Sequence, residues 1–238
     1  MAFYRFADRV FELKNKYAYT SRLCADYEVK ADSADFVIEV SDEEIMAESK
    51  DNAASFPPAY LESLAIYRKI CDILSGDDCF HFHAAVIEYE GRAYAFSAKS
   101  GTGKTTHISL WEKAFGDKVK IINGDKPLIR RRITEGKPEF VAYCTPWSGK
   151  EHKNMNASAV LGGICMLERS ETNFIESSGN EAVTFLFGQM LIKRDNIYMG
   201  ALLGFLSDLV TYVPVYRLGA NMDISAAYVA RDGLLKGI

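Results

Sequence analysis

The sequence lacks the patterns of a secreted, zinc-binding or membrane-spanning protein. Its cysteines are odd in number and scattered, with no CxxC pair: Cys24, Cys71, Cys79, Cys144 and Cys165. This distribution argues against a disulfide framework and a zinc site, and it is typical of a reducing compartment. The N-terminus shows no signal-peptide pattern, and no apolar run approaches the roughly 18 residues of a membrane span. We therefore expect a cytoplasmic protein.

The chain also lacks a strong excess of charge of either sign and any internal repeat. With 28 Lys and Arg against 32 Asp and Glu, its formal net charge is −4 at pH 7. That balance gives no reason to expect binding to nucleic acid or to a membrane surface. One basic run, Arg130–Arg132, is interpreted as a solvated strand edge. The length of 238 residues suits one domain with an elaboration, or two small domains.

Hydrophobic periodicity predicts the order of helices and strands. Helical spacing of apolar residues is found at 59–74, 104–115, 180–193, 198–210 and 223–235. Strand-like runs are found at 80–88, 92–98, 119–123, 128–133, 139–143, 160–168 and 213–217. This alternation favours an α/β fold with a mixed β-sheet flanked by helices.

Composition along the chain predicts two parts, an N-terminal α+β elaboration over 1–78 and a core over 79–238. Residues 3–48 mix short β-like runs, such as DFVIEV at 35–40, with acidic connectors. The stretch DNAASFPP at 51–58 is the best candidate for a linker or turn, because Pro57 and Pro58 prevent regular pairing.

A glycine loop lies between the strand at 92–98 and the helix at 104–115. The segment Ala98-Lys99-Ser100-Gly101-Thr102-Gly103-Lys104-Thr105 matches the Walker A pattern G-x-x-x-x-G-K-[ST], except that Ala98 replaces the first glycine. Glycines let backbone N–H groups turn toward a polyphosphate, and the helix N-terminus adds partial positive charge. Lys104 is predicted to reach the β- and γ-phosphates, and Thr105 to bind Mg²⁺. The predicted phosphate-binding residues are Ser100, Gly101, Thr102, Gly103, Lys104, Thr105 and Thr106.

A phosphate-binding loop also needs a carboxylate near Mg²⁺, commonly at the end of a neighbouring strand. Asp125 follows the strand at 119–123 and Gly124, so we predict that it binds the metal together with Thr105. Asp125 could instead take the proton of an acceptor hydroxyl as a general base. A Gly-Asp pair also forms turns in its own right.

The residues of this region resemble two known families. SGTGKTT at 100–106 is similar to the phosphate-binding loop of ATP-dependent phosphoenolpyruvate carboxykinases. The larger arrangement more closely resembles the catalytic core of HPr serine kinase/phosphorylases, through HAAVIEYEGRAYAF at 83–96, INGDKPLI at 122–129 and ICMLER at 164–169. The resemblance covers roughly residues 80–170.

The resemblance implies an HPr kinase/carboxykinase-like core and ATP-dependent phosphoryl transfer. It implies that His83 lies near the phosphates and that Asp125 is a metal ligand or catalytic base. One departure concerns the family's two adjacent aspartates, because this chain has Asp125 followed by Lys126. The loss of the second carboxylate argues against two-way kinase/phosphorylase chemistry.

Other polar residues are weaker candidates. His81 and His83 have strand spacing and would share a face, although strand histidines are commonly structural. His107 is interpreted as structural or partly exposed. In the loop at 143–156, Lys150 is predicted to contact an anion and Glu151 to act as an acid, base or metal ligand. Trp147 of that loop could stack on a base or peptide, and the alternative is a solvated charged loop.

The predicted function is that of a Mg²⁺–ATP-dependent kinase acting on a hydroxyl of a protein or peptide serine or of a small molecule. The predicted catalytic residues are Lys104, Asp125, His83, Lys150 and Glu151. A nucleotide-binding regulatory module without turnover and a small carboxykinase-like enzyme are the alternatives. A homo-oligomer is possible, with the apolar run at 199–206 as one surface.

Overall fold

The structure, a computed structural model, describes residues 2–50 and 56–237. The chain divides into two units, Met1–Asp77 and Asp78–Ile238. Of the predicted linker at 51–58, residues 51–55 lie outside the described residues, and Pro58 is the first residue of a helix. As a division into separately folding domains, 1–78 and 79–238 stay a prediction.

The described part of the first unit is a small sheet with three α-helices. Its strands are β1 (Phe3–Phe6), β2 (Arg9–Lys14), β3 (Glu28–Val29) and β4 (Phe36–Glu39), in the order β3-β1-β2-β4. Its helices are α1 (Ala18–Leu23), α2 (Asp42–Lys50) and α3 (Pro58–Ser75). Helix α3 confirms the helix predicted at 59–74, and Pro58 suits its first turn because a first-turn N–H has no helical partner.

Over its described residues, the second unit carries a larger sheet and four α-helices. Its strands are β5 (Cys79–His81), β6 (Ala84–Tyr89), β7 (Arg92–Ser97), β8 (Val119–Asn123), β9 (Leu128–Thr134), β10 (Lys137–Tyr143), β11 (Ser158–Arg169), β12 (Phe174–Ser177) and β13 (Val215–Ala220). Its helices are α4 (Lys104–Phe115), α5 (Ala182–Phe187), α6 (Asn196–Tyr212) and α7 (Ser225–Lys236). The predicted mixed sheet with flanking helices is confirmed.

The strand order brings several carboxyl ends to one edge of the sheet. The order is β5-β9-β10-β11-β7-β6-β8, and β13 pairs with both β11 and β12. Strands β7, β11 and β13 run parallel, whereas β6 is antiparallel to both β7 and β8. The ends of β7, β8, β11 and β13 and the start of β6 therefore lie along the same edge. Ligands of α/β proteins commonly bind at such an edge.

Two short connections cross between distant positions of this strand order. Phe82 and His83 lead from β5 to β6, and residues 124–127 lead from β8 to β9. The two connections are hydrogen-bonded to each other: the Phe82 N–H donates to the Pro127 carbonyl at 3.1 Å, and the Ala84 N–H donates to that of Asp125 at 3.2 Å. The single strand predicted at 80–88 is therefore wrong, because the chain leaves one strand pair at Phe82 and enters another at Ala84.

Two other predictions differ from the structure, and one strand was not predicted. The helix predicted at 180–193 is only the short α5, which ends before Gly188, and β12 was not predicted. Arg131 is not on a solvated edge, because β9 lies between β5 and β10 and its guanidinium pairs with Asp78 and Asp208.

Helix α4 is anchored to the sheet by its aromatic face. Trp111 is fully buried among the rings of Tyr89, Phe96 and Phe115. His107, one turn earlier, accepts a hydrogen bond from the Trp111 indole N–H at 3.1 Å and packs on Phe96. It is almost completely buried, so the structural interpretation of His107 is confirmed and partial exposure is wrong. This packing fixes the start of α4 against the end of β7.

All five cysteines are buried and carry free thiols. Within the described residues, no helix has both the length and the apolar character needed to cross a membrane.

The burial of His107 predicts a pH dependence of stability. Burial lowers the pKa of His107 from 6.5 to about 3. Between these values the unfolded chain binds a proton there and the folded chain does not, so stability falls as the pH falls. Within this window, His107 lowers the free energy of unfolding by up to about 1.4 kcal/mol for each pH unit of acidification. Above the window it adds no pH dependence. Urea denaturation of wild type and His107→Gln between pH 7 and pH 4 should show a shallower decline in the variant. Equal slopes would contradict the neutral, buried histidine.

Candidate functional site

The glycine loop between β7 and α4 contains two glycines with positive φ angles. Gly101 and Gly103 have φ angles of 79° and 129°, which residues with a Cβ rarely adopt. A Cβ added at either position would meet no atom within 4 Å, so the space over the loop is open. The first turn of α4 contains no acidic residue, and the partial positive charge of the helix end therefore faces this space uncompensated by its own helix. The loop fits a polyphosphate.

Arg169, at the end of β11, is hydrogen-bonded to the glycine loop from the strand that pairs with β7. Its guanidinium donates from Nη2 to the Gly101 carbonyl at 2.6 Å and from Nε to the Thr102 carbonyl at 3.1 Å. Two consecutive carbonyls are thus directed toward Arg169. The sequence contained Arg169 in the family-like segment but gave no signal for this role, because the contact depends on the parallel pairing of β7 with β11.

Lys104 begins α4 and carries a buried ammonium group. Only 7% of the residue is exposed. Its Nζ donates to the Ala98 carbonyl at 3.2 Å and lies 2.9 Å from His83 Nε2. Burial lowers the pKa of Lys104, with Lys126 acting in the same direction and Asp125 opposing it.

Asp125 lies beside the same histidine. Its Oδ1 is 3.3 Å from His83 Nε2, and its Oδ2 is 3.2 Å from the Nζ of Lys126. Burial alone would raise the pKa of the Asp125 carboxyl, but its contact with His83 and the charge of Lys126 act in the opposite direction, and the pKa lies below its ordinary value. Asp125 is therefore a stable carboxylate. The structure brings His83, Lys104 and Asp125 together.

The turn that carries Asp125 is set by Asn123, the last residue of β8. The buried Asn123 side chain accepts from the N–H groups of Asp125 at 2.8 Å and Lys126 at 2.7 Å. Its own NH₂ donates to the Thr145 carbonyl at 2.8 Å. Sequence reasoning missed Asn123, although an amide at the end of the strand-like run VKIIN was a usable signal.

The loop at 143–156 packs behind this turn, and the alternative of a solvated charged loop holds only for its exposed part. The segment 144–148 is buried, and Trp147 is 5% exposed, so its indole does not offer a stacking surface. An added Cβ on Gly149 would lie 3.3 Å from the Asp125 Cβ, which places the loop against the carboxylate. Lys150 and Glu151 follow on the surface, and their roles stay predictions.

Lys153 connects the same loop to the glycine-loop helix. Its Nζ donates to the Ser109 hydroxyl at 3.1 Å and pairs with Glu112, both on α4. The loop is therefore fastened on one side to α4 and on the other to the turn that carries Asp125.

Gln189, in the segment after α5, is a site residue that the sequence did not reveal. Its backbone carbonyl accepts from the His83 N–H at 2.8 Å, and its Oε1 lies 3.2 Å from His83 Nδ1. The neighbouring Met190 pairs with Phe82 as an isolated bridge. Nothing in the run FLFGQM indicates this contact with His83. It forms only because the segment after α5 lies against the connection from β5 to β6.

A cavity of about 600 Å³ opens on the other side of the glycine loop. It lies between that loop and the carboxyl ends of β11 and β13, and apolar and polar groups both line it. Its lining includes Thr106, His107, Leu167, Ser170, Asn221 and Met222. Its size is within the range of small-molecule sites.

The other residues predicted to bind phosphate or Mg²⁺ lie in the glycine loop and the first turn of α4, and their roles stay predictions. Thr105 is half-buried in the first turn of α4, while Ser100 and Thr106 are exposed. Among the described residues, no three His, Cys, Asp or Glu side chains are grouped to hold a metal ion. A magnesium site would therefore combine Thr105 and Asp125 with phosphate oxygens and water, a ligand set that suits Mg²⁺.

Comparison with known proteins gives little beyond this geometry. No protein-family model matches the chain, and no curated protein sequence matches it. Among solved structures, the HPr(Ser) kinase/phosphatase from Coxiella burnetii is similar, with a TM-score of 0.37 and 10% identity over 66% of this chain and 92% of that chain. At this identity and TM-score the likeness carries no functional inference.

The packing around Asp125 predicts that Gly124 tolerates no side chain. A Cβ at Gly124 would lie 2.8 Å from the Ser148 carbonyl oxygen and 3.3 Å from that of Lys153. Because both are backbone atoms, Gly124→Ala should lower the free energy of unfolding by about 1–3 kcal/mol. In the control Gly204→Ala, the added methyl meets no atom within 4 Å, and this helical position should gain about 0.5–1 kcal/mol. Equal unfolding midpoints for the two variants in urea would contradict the close approach at Gly124.

Proposed function

We propose that the second unit binds Mg²⁺–ATP at the glycine loop and transfers its γ-phosphoryl group to a hydroxyl of a protein or peptide serine or of a small molecule. The observation that carries the proposal is the buried ammonium of Lys104 at an open glycine loop, beside His83 and the carboxylate of Asp125. This combination supplies a phosphate cradle, a movable positive charge and a fixed negative charge in one place.

Lys104 is the group that must move when phosphate binds. In the free protein its Nζ lies on His83 Nε2 and the Ala98 carbonyl, both neutral acceptors. A phosphate oxygen is a stronger partner, since hydrogen bonds between charged groups exceed those to neutral acceptors. Lys104 then neutralises charge on the transferring group, which is the main contribution a protein makes to this reaction.

Thr105 and Asp125 are the residues that would hold Mg²⁺. Bound there, the ion would neutralise charge on the β- and γ-phosphates. The lowered pKa of Asp125 makes its carboxylate a weak proton acceptor, which favours metal binding over the role of general base. His83, whose Nε2 becomes available when Lys104 moves, is then a group able to take a proton from an acceptor hydroxyl.

In this proposal the two ends of the nucleotide lie on opposite sides of the loop, as the strand order supports. Asp125 follows the end of β8 and His83 precedes the start of β6 on one side, and the cavity lies at the ends of β11 and β13 on the other. A triphosphate across the loop thus directs its γ-phosphate toward Asp125 and its nucleoside into the cavity. The acceptor would approach from the side of Asp125, where Lys150 and Glu151 are exposed and keep their predicted roles toward it.

A second candidate function is nucleotide binding without transfer. The specific observation in its favour is Lys126, which pairs with Asp125 where the resembled family has a second aspartate. Lys126 partly neutralises the Asp125 carboxylate, which lies beside His83. Such a site would bind nucleotide and leave the γ-phosphate intact.

Loss of the Lys104 charge should weaken nucleotide binding. Because a charge-assisted hydrogen bond contributes about 1.5–3 kcal/mol, Lys104→Met should raise the Kd of Mg²⁺–ATP about tenfold to hundredfold in calorimetric titration. The matched control is Lys120→Met, which removes an exposed lysine that pairs with Glu88 on the surface of the same sheet. Equal affinity of wild type and Lys104→Met would remove the glycine loop from the binding site.

The same proteins separate the two functions. Incubation of wild type with γ-labelled ATP and a panel of serine peptides and hydroxylated metabolites should yield labelled acceptor or free phosphate, and Lys104→Met should lose most of this turnover. Binding of ATP with no label transferred to any acceptor and no labelled free phosphate favours the non-catalytic module.

The cavity predicts that the nucleoside contributes to affinity. Mg²⁺–ATP should bind more tightly than Mg²⁺–tripolyphosphate to wild type. Ser170→Trp, which places a large ring in the cavity, should remove that difference and leave tripolyphosphate affinity unchanged. Equal affinity of both ligands for wild type would place the nucleoside outside the cavity while the phosphate site stands.

A further inference from the structure

His83 is held by three groups that compete for its two ring nitrogens. Nδ1 lies 3.2 Å from Gln189 Oε1. Nε2 lies 2.9 Å from Lys104 Nζ and 3.3 Å from Asp125 Oδ1. A single ring nitrogen either carries a hydrogen or offers a lone pair, so Nε2 cannot bond to both Lys104 and Asp125 in the same state.

The chemistry of Lys104 decides where the hydrogen of His83 lies. An ammonium group has three donors and no acceptor, so the shorter contact requires a lone pair on Nε2. A neutral imidazole with that lone pair carries its hydrogen on Nδ1. The Nδ1–H then needs an acceptor, and Gln189 Oε1 is placed to accept it.

We propose that Gln189 is a positioning residue, which fixes the hydrogen of His83 on Nδ1 so that Nε2 holds Lys104 at the glycine loop. Gln189 is suited to this because it is 9% exposed and because its backbone carbonyl separately fixes the His83 main chain at 2.8 Å. The side chain therefore acts on the ring hydrogen, while the backbone bond sets the ring's location.

Without the Gln189 acceptor, the tautomer of His83 with its hydrogen on Nε2 becomes more populated. Its Nε2–H would point to Asp125 Oδ1 at 3.3 Å, and Lys104 would lose an acceptor. The Gln189 side chain thus decides whether His83 serves the lysine or the carboxylate. That consequence for phosphate binding rests on the proposed function, whereas the position of the hydrogen does not.

The hydrogen position can be measured directly in the free protein. The chain has only four histidines, and the spectrum of His83→Gln assigns the His83 signals. Long-range ¹H–¹⁵N correlation spectra, recorded where the ring is neutral, distinguish a protonated from an unprotonated imidazole nitrogen. We expect wild type to show a protonated Nδ1 and an unprotonated Nε2. A protonated Nε2 in neutral His83 would overturn the proposal.

Variants at position 189 test the cause. Gln189→Leu removes the acceptor and keeps the backbone bond, so the preference for Nδ1–H should be lost. Gln189→Asn, whose amide is one methylene too short, should show the same loss and serves if the leucine variant does not fold. Gln189→Glu retains an acceptor of the same length and should retain the wild-type pattern. An unchanged Nδ1–H preference in either shortened or apolar variant would overturn the role of Gln189.

This experiment needs no nucleotide. A wild-type protein that binds no nucleotide but shows the expected tautomer would refute the proposed function alone. A protein that binds Mg²⁺–ATP with its hydrogen on Nε2 would refute the role of Gln189 alone.

Discussion

The ammonium group of Lys104 is buried at the end of a glycine loop, and a buried charge is stable only when other groups compensate it. Here the compensation consists of the Ala98 carbonyl, the lone pair of His83 and the nearby carboxylate of Asp125. None of these groups forms a close ion pair with Lys104. The lysine is thus retained in the protein but not satisfied by a partner of full opposite charge, and an incoming polyphosphate can replace its neutral acceptors.

The sheet topology explains how these groups meet. Each lies at an interruption of regular structure: Lys104 after the loop that ends β7, His83 between β5 and β6, and Asp125 between β8 and β9. The two crossing connections are bonded to each other, and the segment of Gln189 bonds to one of them. The site is therefore built on short, strand-anchored segments, which is the way that rigid scaffolds present reactive groups.

Sequence reasoning reached the parts of this arrangement that are local in the chain. The glycine loop, α4 and β8 have self-contained signals, and the structure places α4 at 104–115 and β8 at 119–123 as the periodicity predicts. It did not reach Arg169, Asn123 or Gln189, whose contacts with the site join residues that are distant in the sequence or depend on a turn. The break at Phe82 was missed for a similar reason: the apolar run continues through it, and only strand pairing shows that the chain changes partners.

The central claim is that Lys104 exchanges a neutral acceptor for a phosphate. A crystal structure with Mg²⁺ and a non-hydrolysable ATP analogue tests it most directly through the distance from Lys104 Nζ to His83 Nε2, which is 2.9 Å in the free protein. The account predicts that Nζ leaves His83 and contacts the β- or γ-phosphate, with the nucleoside on the side of β11 and β13. A bound nucleotide with Lys104 still on His83 would contradict it.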